Sequence, residues 1–196
     1  VFLPVFDTPT MPKITRFADI PPFTRSGEWE CSFGLDRLVA WVARQQAESG
    51  LNLEPDFQRG HVWTTRQQVR FVEFLLRGGR TGRTLYFNCP WWNQINPTVG
   101  EFVIVDGKQR LHAITRFIRG EIRVFGSYFC EFLGSPRVTQ TMRVNVNDLP
   151  TRADVLQFYL DLNTGGTPHS AGEIARVRRL LKRELDTLRR RGNASA

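Results

Sequence analysis

Apolar positions recur along this chain with two distinct periods. Leu35, Leu38, Val39 and Val42 fall at i, i+3, i+4 and i+7, which predicts an amphipathic helix over 35–48 that Gly50 stops. Thr64 and Thr65 each have a Gln three residues on, a capping-box pattern that opens a second helix burying Val69, Val72, Leu75 and Leu76 before Gly78-Gly79. The continuous run Phe102-Val103-Ile104-Val105 predicts a buried strand, and Leu85-Tyr86-Phe87 a second one. Asp106-Gly107 then turns into a helix carrying Leu111, Ile114, Phe117 and Ile118 on one face, closed by Gly120. Further strands are expected at 51–54, 121–125, 127–133 and 138–146, the last because Met142, Val144 and Val146 alternate with Arg143 and Asn145. Thr151 with Asp154 starts a helix to about Leu162, and Ser170 with Glu173 opens another. Residues 1–30 read as Pro-rich and irregular, with a short strand at Lys13–Phe17. The expected fold class is α+β, a mixed sheet with flanking helices, in a single domain over 1–196.

Composition narrows the class. The 196 residues are 41% hydrophobic and 12% aromatic, which excludes a disordered chain. No apolar run approaches the ~18 residues of a membrane span, and Pro4 and Asp7 break the apolar start too early for a signal peptide. Cys31, Cys89 and Cys130 are odd in number and widely spaced, and His61, His112 and His169 stand apart from one another. A disulfide framework and a zinc site are therefore not expected, and the expected compartment is the cytoplasm.

Charge then changes the picture. The chain carries 27 Lys+Arg against 19 Asp+Glu, a formal +8. Between Gly172 and Arg191 stand Arg176, Arg178, Arg179, Lys182, Arg183, Arg189, Arg190 and Arg191, opposed by Glu173, Glu184 and Asp186, so this segment supplies 8 − 3 = +5 of the total. Two readings of this basic helix, over 170–191, stand side by side. It faces nucleic acid through Arg176, Arg179, Lys182 and Arg183, or it is the solvated face of an amphipathic helix.

Three polar motifs carry candidate chemistry. The first, Val105-Asp106-Gly107-Lys108-Gln109-Arg110-Leu111, sits at a strand-to-helix junction. A helix start offers N–H groups to an anion, and Gly107 permits a tight turn and close approach. Lys108 and Arg110 can neutralise a phosphate, and Asp106 can hold Mg²⁺ or orient water. The second motif is Pro55-Asp56-Phe57-Gln58-Arg59-Gly60-His61-Val62-Trp63, with Gln58 and Arg59 as the donor pair. The third is Asp161-Leu162-Asn163-Thr164-Gly165-Gly166-Thr167-Pro168-His169-Ser170, where Asn163 and Thr164 are candidates to border a ligand and the Gly pair serves as a helix C-cap. Trp91-Trp92 is either a plug over the core or a stacking platform.

In this order the three motifs resemble the ParB-like domain-of-unknown-function family 262, the N-terminal half of GmrSD-type modification-dependent restriction enzymes. The resemblance runs from about Leu51 to Val177 and is strongest at D-G-x-Q-R, with Lys108 where the family often has Gln. It implies a ParB/sulfiredoxin-like fold and an enzyme that binds or hydrolyses an NTP (ATP, GTP or CTP), or transfers a phosphoryl group, while acting on DNA in phage–host modification or restriction. Asp106, Gln109 and Arg110 would act at the nucleotide, with Gln58, Arg59, Gly107, Lys108, Asn163 and Thr164 completing its pocket and Mg²⁺ at Asp106. The expected partners are DNA, a nucleotide, a nuclease or DNA-modifying enzyme, and a second copy of the chain; no membrane is expected. The family's H-N-H cutting motif has no counterpart here. Two alternatives follow: a nucleotide or modified-DNA sensor serving a partner nuclease, and a metal-dependent nuclease built on Asp56, Asp106 and Asp161.

Overall fold

The structure, a computed structural model, describes residues 14–20, 24, 28–58, 60, 62–92, 100–134, 136, 140–164 and 171–194; the side chains of 18, 164, 171 and 192–194 are not described. Among these residues the chain forms four strands and five α-helices, an α+β fold. In chain order they are β1 (Trp29–Gly34), α1 (Leu35–Ser49), α2 (Thr65–Leu76), β2 (Thr84–Asn88), β3 (Val103–Asp106), α3 (Lys108–Ile118), β4 (Thr141–Asn147), α4 (Arg152–Thr164) and α5 (Ala171–Ala194).

The strands make one mixed sheet in the order β1-β4-β2-β3. β4 runs antiparallel to β1 and parallel to β2, and β2 runs antiparallel to β3. Side chains alternate between the two faces. Leu85 and Phe87 of β2, Ile104 of β3 and Met142, Val144 and Val146 of β4 enter one core with Leu35, Leu38 and Val42 of α1 and Leu111 and Ile114 of α3. Val103 and Val105 enter a second core with Val155, Leu156, Phe158, Tyr159 and Leu160 of α4. β3 is thus covered on both faces, which is why its sequence is apolar without alternation. α5 packs on α4 through Val177, Ile174, Leu180 and Leu181. α2 packs on α3 around Val72, Ala113 and Phe117.

Local signals explain most boundaries. α2 starts on a complete capping box, with the Thr64 hydroxyl accepting from Gln67 N–H and the Gln67 side chain accepting from Thr64 N–H. α1 ends on Gly50 at φ 66°, a left-handed cap.

Several expectations are corrected. Trp29–Gly34 is the edge strand β1, so the irregular stretch expected over 1–30 gives way to a strand at Trp29. No strand forms at 14–17, where Phe17–Asp19 make a 3-10 turn, and Val1–Lys13 lie outside the described residues. The 51–54 segment contributes only one bridge, Asn52 to Val103. The segments 121–125 and 127–133 hold only the Val124–Ser127 bridge and a 3-10 turn at Phe129–Glu131. There Phe125 (φ 51°) and Gly126 (φ 82°) both adopt the left-handed region, which folds the chain back on itself before a strand can extend.

Candidate functional site

The D-G-K-Q-R motif occupies the β3–α3 junction. Gly107 sits at φ 99° as the N-cap of α3, and a Cβ there would run into the Leu85 side chain. Only glycine makes this turn with β2 packed so closely beneath it. The first turn of α3 has no intrahelical acceptor for its N–H groups, so it presents positive potential at the end of β3.

Consecutive side chains then leave α3 in different directions. Arg110 pairs with the Asp106 carboxylate and donates through Nη1 to the carbonyls of Gly82 (2.9 Å) and Thr84 (2.7 Å). The Gln109 Oε1 accepts from the N–H groups of Val62 (3.1 Å) and Trp63 (3.2 Å), and its Nε2 donates to the Gly60 carbonyl (3.2 Å). Lys108 turns to the opposite side and pairs with Glu54. Its amine lines a cleft of about 330 Å³ between α1 and α3, with Gln46, His112 and Arg119. The motif therefore ties three distant segments to one helix start.

Asp106 and Arg110 face Tyr86. Asp106 and Tyr86 are paired across a bulge in β2–β3. The Tyr86 hydroxyl is pushed above its ordinary pKa chiefly by burial, then by the carboxylates of Glu28 and Asp106; Arg110 opposes this, and Glu30 adds a smaller push. Tyr86 thus remains a neutral donor at neutral pH. Beyond it, Asn145 of β4 pairs in register with both Tyr86 and Glu30, so a row Glu30–Asn145–Tyr86–Asp106 crosses the sheet.

The other candidates fall around this centre. Gln58 Nε2 donates to the Ile104 carbonyl (2.8 Å), fixing its loop to β3. Asn163 Nδ2 bonds the Tyr159 carbonyl one turn back (2.6 Å), inside α4. Thr164 ends α4, while Arg59, His61 and Gly165–Ser170 lie outside the described residues. Arg176 donates to the Asp56 carbonyl (2.5 Å), and Arg152 grips both oxygens of the Asp56 carboxylate (2.6 and 2.8 Å). Arg152 Nε also lies 3.2 Å from Glu184 without hydrogen-bond alignment. α5 is thereby fastened to the second motif, while Arg178, Arg179, Lys182, Arg183, Arg189 and Arg190 remain exposed.

Trp91 and Trp92 pack over Phe102, with Trp92 also against Trp29 (5.2 Å between ring centres) and Trp41 (6.3 Å). They plug the first core. Among the described residues no group of three or more His, Cys, Asp or Glu is arranged to hold a metal, so Asp56, Asp106 and Asp161 do not assemble a metal cage. The Asp106 carboxylate is a hard oxygen donor of the kind Mg²⁺ accepts together with phosphate oxygens. None of the described helices is long and apolar enough to cross a membrane.

These tethers join the described residues of the first two motifs. Residues 42–129 match the family model of the GmrSD restriction endonuclease, N-terminal domain. This is the family the motifs resemble, and the match contains both the P-D-F-Q-R-G-H-V-W and the D-G-K-Q-R segments. No curated protein and no solved structure matches the chain. Sequence reasoning missed Tyr86, Glu28, Glu30 and Asn145. Tyr86 looked like a strand residue only, and the bulge that sets it opposite Asp106 leaves no trace in the spacing. The GmrSD-type match ends before α4 and α5, so the third motif and the basic helix stand outside it.

Proposed function

We propose that this chain is a nucleotide-dependent DNA-processing domain of the restriction type, with the Asp106–Arg110 pair at its phosphoryl-handling centre. The observation that carries the reading is this pair, set beside Tyr86 at the positive end of α3 within a GmrSD-type domain. A phosphate placed there would meet helix N–H groups and the Arg110 guanidinium. Charge developing on a transferring phosphoryl group would be stabilised electrostatically, the mode on which phosphoryl transfer mainly depends. Mg²⁺, when bound, would be held by Asp106 and supply further neutralisation of that charge. Gln109 holds Gly60, Val62 and Trp63 in place beside the motif. The exposed arginines of α5, with Lys182, would track a DNA backbone.

One observation favours a second reading. Arg110 and Gln109 are already engaged by their own chain, as in a module that senses a nucleotide and signals without turnover. Each labelled NTP is incubated with the protein, with and without modified DNA, and free phosphate is separated from labelled DNA. Released phosphate means hydrolysis, label on DNA means transfer, and binding with neither means sensing. No binding by any NTP contradicts both readings.

A further inference from the structure

Two asparagines of β4, on the sheet face that carries Tyr86, are buried and short of hydrogen bonds. Asn145 and Asn147 are 2% and 0% exposed. Asn145 Nδ2 donates to Glu28 (2.7 Å), but among the described residues its Oδ1 has no partner, and neither Oδ1 nor Nδ2 of Asn147 has one. Burying an amide without hydrogen bonds is costly, and native proteins contain few such groups. Asn88, opposite Asn147 in the register, shows the satisfied alternative: it exchanges hydrogen bonds with the Leu149 N–H (2.8 Å) and carbonyl (3.2 Å). A strand asks only for an apolar or β-branched residue at these positions, and two successive positions of β4 on this buried face hold asparagine instead.

The surroundings limit what could satisfy them. Glu28 and Glu30 flank the asparagines on the β1 side, so a phosphate is repelled there. The positive end of α3 and Arg110 lie at the β3 side, two strand spacings or about 10 Å from β4. The row thus has an anion-accepting end and an anion-rejecting end. Between them Tyr86 presents a neutral hydroxyl and a ring set edge-on to Phe158 (6.0 Å). An asparagine amide with donor and acceptor both available matches the edge of a nucleobase.

We propose that Asn147 and Asn145 form the base-binding subsite of the nucleotide site, taking the hydrogen-bonding edge of a nucleobase while the phosphates lie toward Asp106 and α3. This rests on the nucleotide reading above and adds the residues that hold the base. Glu30 and Ser32 on the edge strand β1 are exposed, which places the buried amides one strand in from an open edge.

The test uses the full chain, Asn147→Leu and Asn147→Ala, with calorimetry against ATP, GTP, CTP, dTTP and inorganic tripolyphosphate, and thermal melting alongside. Removing an unsatisfied amide should leave at least one variant as stable as the parent. That variant should bind the preferred nucleotide about tenfold to a hundredfold more weakly, the loss of hydrogen bonds to a buried group. Its affinity for tripolyphosphate should not change. Parental nucleotide affinity in either folded variant overturns the proposal. So does loss of stability in both, which would mean that the amide is satisfied in the fold, for example by buried water. A parent protein that binds no nucleotide overturns this proposal together with the nucleotide reading; a parent that binds while the variants bind equally overturns this proposal alone.

Discussion

Asp106, the last residue of β3, and Arg110, in the first turn of α3, form an ion pair across Gly107. Both are largely shielded, with side chains 31% and 17% exposed. The same guanidinium holds the carbonyls that lead into β2, so Arg110 serves the fold as well as any ligand. Arg110→Ala should therefore lower stability by about 1–3 kcal/mol, because it strips partners from several acceptors at once. Arg110→Lys should recover only part of this, since one ammonium cannot reproduce the fork. Urea unfolding checks both. An unchanged midpoint in Arg110→Ala would show that these hydrogen bonds contribute nothing, and loss of activity in that variant is not by itself proof of catalysis.

Gly107 tests the junction geometry. An alanine there meets a left-handed backbone and the Leu85 side chain. The expected cost is about 2–4 kcal/mol, combining the backbone and overpacking penalties. Chemical denaturation of Gly107→Ala measures it. A loss below the error of the measurement would mean that the turn relaxes freely.

Two of the three thiols should differ sharply. Cys89 is buried, and burial pushes its thiol up to about 12, while Cys130 is exposed. The neutral form is favoured in the fold, so stability from this group is complete below the unfolded value near 9 and is lost as pH rises towards 12. At pH 8 an alkylating reagent should modify Cys130 rapidly and Cys89 only on unfolding. Peptide mass mapping after timed alkylation reads this, and fast native modification of Cys89 would contradict it.

The basic helix divides into tied and untied residues. Arg176 is bonded to the Asp56 carbonyl, whereas Arg179, Lys182 and Arg183 are exposed on α5. If α5 meets DNA, the triple alanine variant of the exposed residues should weaken binding to every sequence alike. It should also flatten the salt dependence by up to about 0.9 for each phosphate that is no longer neutralised. Arg176→Ala should instead loosen α5 from the Asp56 loop and lower the melting temperature. An unchanged salt slope in the triple variant would return the charge run to a solvated face.

The legible parts of the fold were those specified locally. α1, α2, α3 and α5 announce themselves through periodicity and caps, and β3 through an unbroken apolar run ending at Asp106-Gly107. β1 was missed because Trp29, Cys31 and Phe33 alternate over only six residues after a Pro-rich stretch, with Gly34 leading straight into α1. The 121–133 segment has strand-like residues, but a left-handed turn at Phe125-Gly126 overrides their preference. The D-G-K-Q-R residues stand out in the sequence, while the partners that the fold gives them do not. Gln109 reaches back to Gly60, Val62 and Trp63 and Lys108 to Glu54, pairings between residues about fifty apart that no local pattern encodes. Tyr86 and Asn145 enter the site only through strand order, which places β4 between β1 and β2.

The central claim is that a nucleotide phosphate is handled at Asp106 and Arg110, and Asp106→Asn tests it most directly. Asparagine keeps the size and an acceptor for Arg110 while removing the charge of a largely shielded pair, so the fold should lose about 1–3 kcal/mol. With labelled NTP and DNA, the parent protein should release or transfer phosphate, and Asp106→Asn should do so about a hundredfold more slowly at a temperature where it is still folded. Parental turnover in a folded Asp106→Asn, or no nucleotide bound by the parent protein, would contradict the account.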